Sequence, residues 1–260
     1  MSAAPTIDDV KAFWNARPCN IRHSDKPVGS KAYFDEVEAR KYFVEPHIPG
    51  FAQFDRWRGK RVLEIGCGIG TDAVNFARAG AAYTGVELSA ESLAVARQRF
   101  EVFGLPGALI EGDAETLSAV APTGSFDLVY SFGVLHHTPQ PAKAIAEIRT
   151  LIAPTGELRI MLYAKNSWKA AMIDAGLDQP EAQYGCPIAT CYDADDVTAL
   201  LDGFDILSIR QDHIFPYKVD AYKAYRYERE DWFAAMPEAM FRALETTLGW
   251  HLLITAKPRG

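Results

Sequence analysis

The chain of 260 residues is poor in cysteine, with only Cys19, Cys67, Cys186 and Cys191, and no two of these stand as CxxC. That spacing excludes a zinc ribbon or a disulfide framework and predicts reduced thiols. Cys19, Cys186 and Cys191 could in principle meet around a soft metal. Scattered as they are, they give no ligand signature; small buried residues are the plainer reading, and no metal is expected. Apolar runs of membrane-spanning length are missing, and residues 1–9 lack the basic and apolar regions of a signal peptide. A cytoplasmic protein without membrane insertion is the expectation. A basic excess is missing too: 27 Lys and Arg against 34 Asp and Glu leave a net charge of −7. Without a positive field to release counterions, nucleic acid is not an expected partner.

What is present is the balance of an ordinary globular protein, with 48% hydrophobic and 23% charged residues, enough to bury one sizeable core. The pattern divides near residue 60. Residues 1–59 are aromatic and broken by Pro18, Pro27, Pro46 and Pro49, which predicts a short helical or irregular cap. From Arg61 onward, short apolar runs alternate with helical spacing. Arg61 to Ile65, Tyr83 to Glu87, Ala108 to Glu111, Phe126 to Phe132 and Glu157 to Tyr163 read as strands. Thr71 to Ala79 and the stretch after Ser89 read as helices, and Thr138 with Pro139 reads as the start of another. Phe204 to Gln211 and Gly249 to Ala256 supply two more strands. The prediction is an α/β fold: a doubly wound, Rossmann-like, seven-stranded, mostly parallel sheet with an N-terminal cap and C-terminal insertions. The domain proper spans 60–260, and its insertions at 164–203 and 212–247 form either a substrate lid or a plain surface elaboration.

The chemistry concentrates in the loop Glu64-Ile65-Gly66-Cys67-Gly68-Ile69-Gly70, which follows a strand and opens a helix, with Glu87 at the tip of the next strand. Glycines there let the backbone approach a ligand, and an acid in that place accepts hydrogen bonds from ribose hydroxyls. The loop reads GxGxG, whereas a dinucleotide fingerprint reads GxGxxG, and Glu64 would repel a pyrophosphate. A cationic or zwitterionic ligand suits it better.

Val62 to Gly70 resembles motif I of the class I S-adenosylmethionine-dependent methyltransferases, and Gly85 to Ser89 resembles their second-strand acid region. Glu111-Gly112-Asp113-Ala114 looks like their adenine-contacting motif; Phe126 to Tyr130 and Leu151 to Leu158 resemble their fourth- and fifth-strand signatures. Val134-Leu135-His136-His137 adds the flavour of the ubiquinone and menaquinone branch. The resemblance covers roughly residues 60–163 and implies S-adenosylmethionine as cofactor and a small molecule as methyl acceptor. It also implies that Gly66, Gly68 and Gly70 border the methionine part and that Glu64 faces its ammonium. Glu87 would hold the ribose, Leu88 pack on the base, and Asp113 and Ala114 contact the adenine. Ser131 and Phe132 would line the channel toward the sulfonium.

A base is needed only if the acceptor must lose a proton. His136 and His137, at the exit of the fourth strand, are the candidates, with shaping of the loop as the alternative; Tyr163 is a third. In 212–247, a helix over 219–230 would put Tyr222, Tyr225, Arg226 and Arg229 on one face, where Tyr222 and Arg226 could bind an anionic or aromatic acceptor. Asp220, Glu228 and Glu230 leave a solvated helix open as well. Tyr33, and with it Tyr42 and His23, could add cofactor or acceptor contacts from the cap, or simply pack. Two further functions stay open: a nucleotide-dependent oxidoreductase, and an inactive S-adenosylmethionine-binding subunit.

Overall fold

The computed structural model describes residues 4–121, 125–176 and 185–260. The first three residues and the middle of the 164–203 insertion, at 177–184, lie outside the described residues. Eight strands share one sheet: β1 (Arg61–Ile65), β2 (Ala82–Glu87), β3 (Ala108–Glu111), β4 (Phe126–Phe132), β5 (Ile152–Ala164), β6 (Cys191–Tyr192), β7 (Phe204–Asp212) and β8 (His251–Pro258). Their order is β3-β2-β1-β4-β5-β8-β7, and the two-residue β6 pairs with β5 beside that path. β1 to β6 pair in parallel, while β8 runs antiparallel to both β5 and β7. The seven expected strands are thus present with one short addition.

Alternation along each strand explains why both faces are covered. Leu63, Ile65, Val129, Leu158, Ile160 and Leu162 belong to one core. Val62, Leu128, Tyr130, Met161 and Tyr163 belong to the other. The first core is closed by α6 (Pro141–Leu151) and α8 (Ala194–Leu200) through Ile145, Ile148, Leu151 and Val197. The second is closed by α4 (Thr71–Arg78) and α5 (Ala90–Phe103) through Val74, Phe76, Leu93 and Phe100. Ser89 caps α5, its hydroxyl accepting from the Ser92 amide at 3.1 Å. α6 begins two residues later than Thr138 and Pro139 suggest, with Gln140 as cap and Pro141 as first residue. Thr138 has no amide left to accept from: the Gln140 amide donates to Glu115 at 2.8 Å, Pro141 has no N–H, and the Thr138 hydroxyl itself donates to Glu115 at 2.5 Å.

The cap contains α1 (Ile7–Ala16), α2 (Lys31–Val44) and α3 (Ile48–Ala52). Tyr33, Phe34 and Val37 of α2 pack around Ile69 of the glycine loop. The buried Arg99 of α5 ties α2 to α4, donating to the Thr71 hydroxyl and to the Phe34 carbonyl. α7 (Trp168–Asp174) precedes β6; α9 (Val219–Lys223), α10 (Asp231–Ala234) and α11 (Glu238–Leu248) lie between β7 and β8. The helix expected over 219–230 stops at Lys223, because Tyr225 takes a left-handed φ of 60°. Tyr217 and Arg229 then form an isolated antiparallel bridge.

Candidate active site

Parallel strands and their right-handed crossovers leave a crevice at the carboxyl ends of β1, β2 and β4, where ligands bind in such sheets. The crevice is a cavity of about 800 Å³, toward the upper end of the range for small-molecule sites. Gly66, Gly68 and Gly70 all take left-handed φ, at 73°, 54° and 79°, but for different reasons. A Cβ on Gly66 would overlap the Val134 side chain, and one on Gly70 would press on Ala96 of α5 at 3.2 Å. A Cβ on Gly68 would meet nothing within 4 Å. Gly66 and Gly68 line the cavity. Gly70 stands behind the wall as the cap residue of α4.

Acids dominate this end. Glu87 accepts from the Gly68 and Ser89 amides, each at 2.8 Å, and lines the cavity. Burial raises its pKa, against the pull of those amides. Glu64 accepts from the Tyr83 hydroxyl at 2.6 Å, and burial with the neighbouring Asp72 carboxylate raises its pKa. Asp72 itself accepts from Lys41, Tyr42 and Tyr130 at 2.8, 2.9 and 3.0 Å. Burial opposes the charge on Lys41, but Asp72, Glu45 and Glu64 outweigh it and raise its pKa. Leu88, Asp113 and Ala114 complete the wall. One Asp113 oxygen accepts from the Glu115 amide at 2.9 Å, and burial raises its pKa. Buried carboxylates around an open cradle fit a cationic, hydroxyl-rich ligand and oppose a pyrophosphate.

Ser131 is fully buried behind this wall; its hydroxyl donates to the Ile65 carbonyl at 3.1 Å and ties β4 to β1. Phe132 reaches the cavity. The two adjacent histidines part company. His136 is fully buried, 3.6 Å centroid to centroid from the Tyr163 ring, with neither nitrogen partnered among the described residues. Burial, then the neighbouring His137, holds its pKa well below the usual range. It does not line the cavity, so contact with an acceptor is denied to it. His137 does line it, with Nδ1 2.6 Å from the Ile188 carbonyl. Burial lowers its pKa to about 4. Tyr163 lines the cavity and stacks on Trp250 at 4.3 Å.

Three further candidates are placed as follows. Tyr33 is fully buried and away from the cavity; its hydroxyl donates to the Ile21 carbonyl at 2.8 Å. Tyr222 lines the cavity, with its hydroxyl 3.2 Å from His23 Nε2. Arg226 lies on the surface, paired with Glu228 at 2.9 Å and 62% exposed, so the expected acceptor contact is corrected: the break at Tyr225 turns it outward.

Residues that no motif signals fill the rest of this end. Arg40 comes from α2, and His213 and His251 come from the ends of β7 and β8. Antiparallel pairing sets His251 opposite both Tyr163 and Asp212, next to His213. Glu45, His47 and His251 bring ligand atoms within 4.8 Å of one another. His47 Nε2 and His251 Nδ1 lie 3.0 Å apart and satisfy each other without a cation.

Residues 63–160 match the methyltransferase domain family. A ubiquinone biosynthesis O-methyltransferase of Sodalis glossinidius is 30% identical over 174 residues, which is 62% of this chain and 70% of that protein. The chain belongs to the class I S-adenosylmethionine-dependent methyltransferases. Several other ubiquinone biosynthesis O-methyltransferases are matched over only about half their length. Among solved structures, a magnesium protoporphyrin IX methyltransferase from Synechocystis with bound cofactor covers 100% of both chains at 16% identity, with a TM-score of 0.59. A (4+2)-cyclase covers 99% of this chain and 98% of its own at 22% identity, with a TM-score of 0.61. Likeness at that level shows the fold alone. The methyltransferase uses S-adenosylmethionine, and neither the oxidoreductase nor the inactive-subunit reading is favoured.

Proposed function

We propose that this methyltransferase transfers a methyl group to a small-molecule acceptor enclosed in the same cavity as the cofactor, with His137 receiving the acceptor's proton. The observation that carries this is the continuity of the cavity from Gly68 and Glu87 to His137 and Tyr163. When bound, S-adenosylmethionine supplies a methyl carbon already activated by its sulfonium. The protein's own task is alignment and exclusion of water, which together contribute on the order of 7–11 kcal/mol.

In this reading Glu87 accepts from the ribose hydroxyls, Asp113 and Ala114 meet the adenine, and Leu88 packs on it. Gly66 and Gly68 let the main chain approach the methionine part, and Glu64 faces its ammonium. Gly70 and Ser131 hold the loop and the strand tips from behind. Near neutral pH His137 carries no charge, and its Nδ1 proton is engaged by the Ile188 carbonyl, which leaves Nε2 as the acceptor. The matched relatives named as O-methyltransferases support a hydroxyl as the methylated group. The acidic balance argues against nucleic acid as acceptor. No helix among the described residues is long and apolar enough to cross a membrane, which fits a cytoplasmic enzyme.

The test is incubation with S-adenosylmethionine and fractionated bacterial small-molecule extract, followed by mass spectrometry for a species heavier by one methylene. His137→Gln should keep S-adenosylhomocysteine affinity and lose turnover. Unchanged turnover would remove His137 from the mechanism, and no methylated small molecule from any fraction would overturn the acceptor class.

A further inference from the structure

Beside Lys41, α2 brings a second cation to the cavity, and the two are handled differently. Lys41 has Asp72 at 2.8 Å. Arg40 is 5% exposed, and its guanidinium carbon lies 4.0 Å from the Tyr222 ring centroid and 4.4 Å from that of Tyr225. Nη2 donates to the Tyr222 carbonyl at 2.5 Å. Nε and Nη1 are buried without a hydrogen-bond partner among the described residues. Cation–π contact returns part of the lost hydration, but a buried guanidinium without a carboxylate remains costly.

His23 adds to the same end of the cavity. Its Nε2 lies 3.2 Å from the Tyr222 hydroxyl, and its Nδ1 is buried and unpartnered. When the tyrosine donates to Nε2, the imidazole proton sits on Nδ1. Burial, then the charges of Arg40 and Lys41, push the His23 pKa down to about 3, so the ring contributes a donor and no second charge. Three buried nitrogens at one end of a cavity thus lack an acceptor, and their net charge is one positive.

We propose that Arg40 and His23 form a subsite for a carboxylate carried by the methyl acceptor. A carboxylate offers acceptor oxygens only and a single negative charge, which matches one guanidinium and one neutral imidazole. A phosphate, at about −1.5 to −2, would be left over-charged in so enclosed a place. Phe215, Tyr222 and Tyr225 line the cavity nearby, so the body attached to the carboxylate is aromatic or otherwise flat and apolar. The inference rests on the reading of the cavity as an acceptor site and names the acceptor's class.

The experiment is thermal unfolding of the full chain saturated with S-adenosylhomocysteine, titrated with benzoate or benzamide at constant ionic strength. Benzoate should raise the melting temperature saturably, and benzamide, of the same shape without the charge, should not. Arg40→Met should weaken benzoate about ten- to a hundredfold, with Arg40→Lys recovering part of the loss. S-adenosylhomocysteine should still stabilise both variants. Should Arg40→Met not bind S-adenosylhomocysteine, His23→Gln is read in its place, with a smaller loss of benzoate affinity. Equal responses to the two probes, no benzoate response in the wild type, or a response surviving these substitutions would overturn the subsite. Failure of S-adenosylhomocysteine to stabilise the wild type would instead overturn the cavity reading itself.

Discussion

The two ends of the cavity are built in opposite ways. The end at the glycine loop takes Glu64, Gly66, Gly68, Glu87, Asp113 and Ala114 from the tips of three neighbouring parallel strands, within about fifty residues of chain. The opposite end takes Arg40, His137, Tyr163, His213, Tyr222 and His251 from the cap, the sheet centre, the antiparallel edge and an insertion. One end is acidic and wired by main-chain amides. The other is aromatic and imidazole-rich, with a cation lacking an ion-pair partner among the described residues. A site made by strand-turn-helix units leaves a contiguous trace in the sequence, whereas a site made by docking separate elements leaves none.

The largest expected effect tests whether the glycine loop tolerates any side chain. Gly66→Ala combines a left-handed φ with overlap of Val134 and should cost about 2–5 kcal/mol in urea unfolding, together with cofactor affinity. A variant as stable as the wild type would mean that the loop is not held as described.

Acid should separate the ends next. His137 and His213 titrate near 4 in the folded protein, lowered by burial from 6.5. Between pH 6.5 and about 4 the unfolded chain therefore binds protons that the folded chain refuses. Stability falls with pH by roughly 1.4 kcal/mol per unit for each such histidine. Glu64 and Glu87, raised by burial, act in the opposite sense, so the informative quantity is the difference between wild type and His213→Gln. The variant should lose less stability from pH 7 to pH 5; parallel curves would show that His213 is not held neutral.

Glu87→Ala should weaken S-adenosylhomocysteine by about 1.5–3 kcal/mol in calorimetry while sparing acceptor KM. An unchanged dissociation constant would detach the acid from the ribose. The smallest effect belongs to Arg226→Ala. Its pair with Glu228 is exposed and worth about 0–1 kcal/mol, so acceptor KM should stay within twofold, and a large rise would bring this arginine back to the site.

Much of the fold was legible because the strand period and the strand-helix alternation are local properties. β1, β3 and β4 run over the residues that the apolar pattern marks, and the other expected strands shift only at their ends. The failures are equally physical. Thr138 looks like a helix cap, but Glu115, from another part of the chain, takes the Gln140 amide that such a cap would accept from, and Pro141 has none to offer. Arg226 looks inward on a helical wheel, and the wheel ends at Tyr225, whose φ of 60° no spacing rule foresees. His136 and His137 are indistinguishable as letters; a turn over Leu135–His137 buries one behind Tyr163 and exposes the other to the cavity. His251 becomes a wall residue only through antiparallel pairing with β5 and β7.

The helix α1, which brings Ile7, Val10 and Trp14 to the cavity wall, is lightly fastened. Val10 is the only buried residue of α1, and its polar ties to the sheet and α5 include an exposed Lys11–Glu111 pair at 2.7 Å and a Ser89 hydroxyl donating to the Trp14 carbonyl at 3.3 Å. Its N-terminus is closed by its own Thr6 and Asp9, so it asks little of the core there. The consequence is a door hung on the rim of a rigid room: a cofactor held at Glu87 would have a way out by peripheral fraying of α1, with the sheet left shut. In hydrogen exchange, the amides of α1 should open first among the elements around the cavity and slow when S-adenosylhomocysteine is bound. Equal protection in both states would place the exit elsewhere.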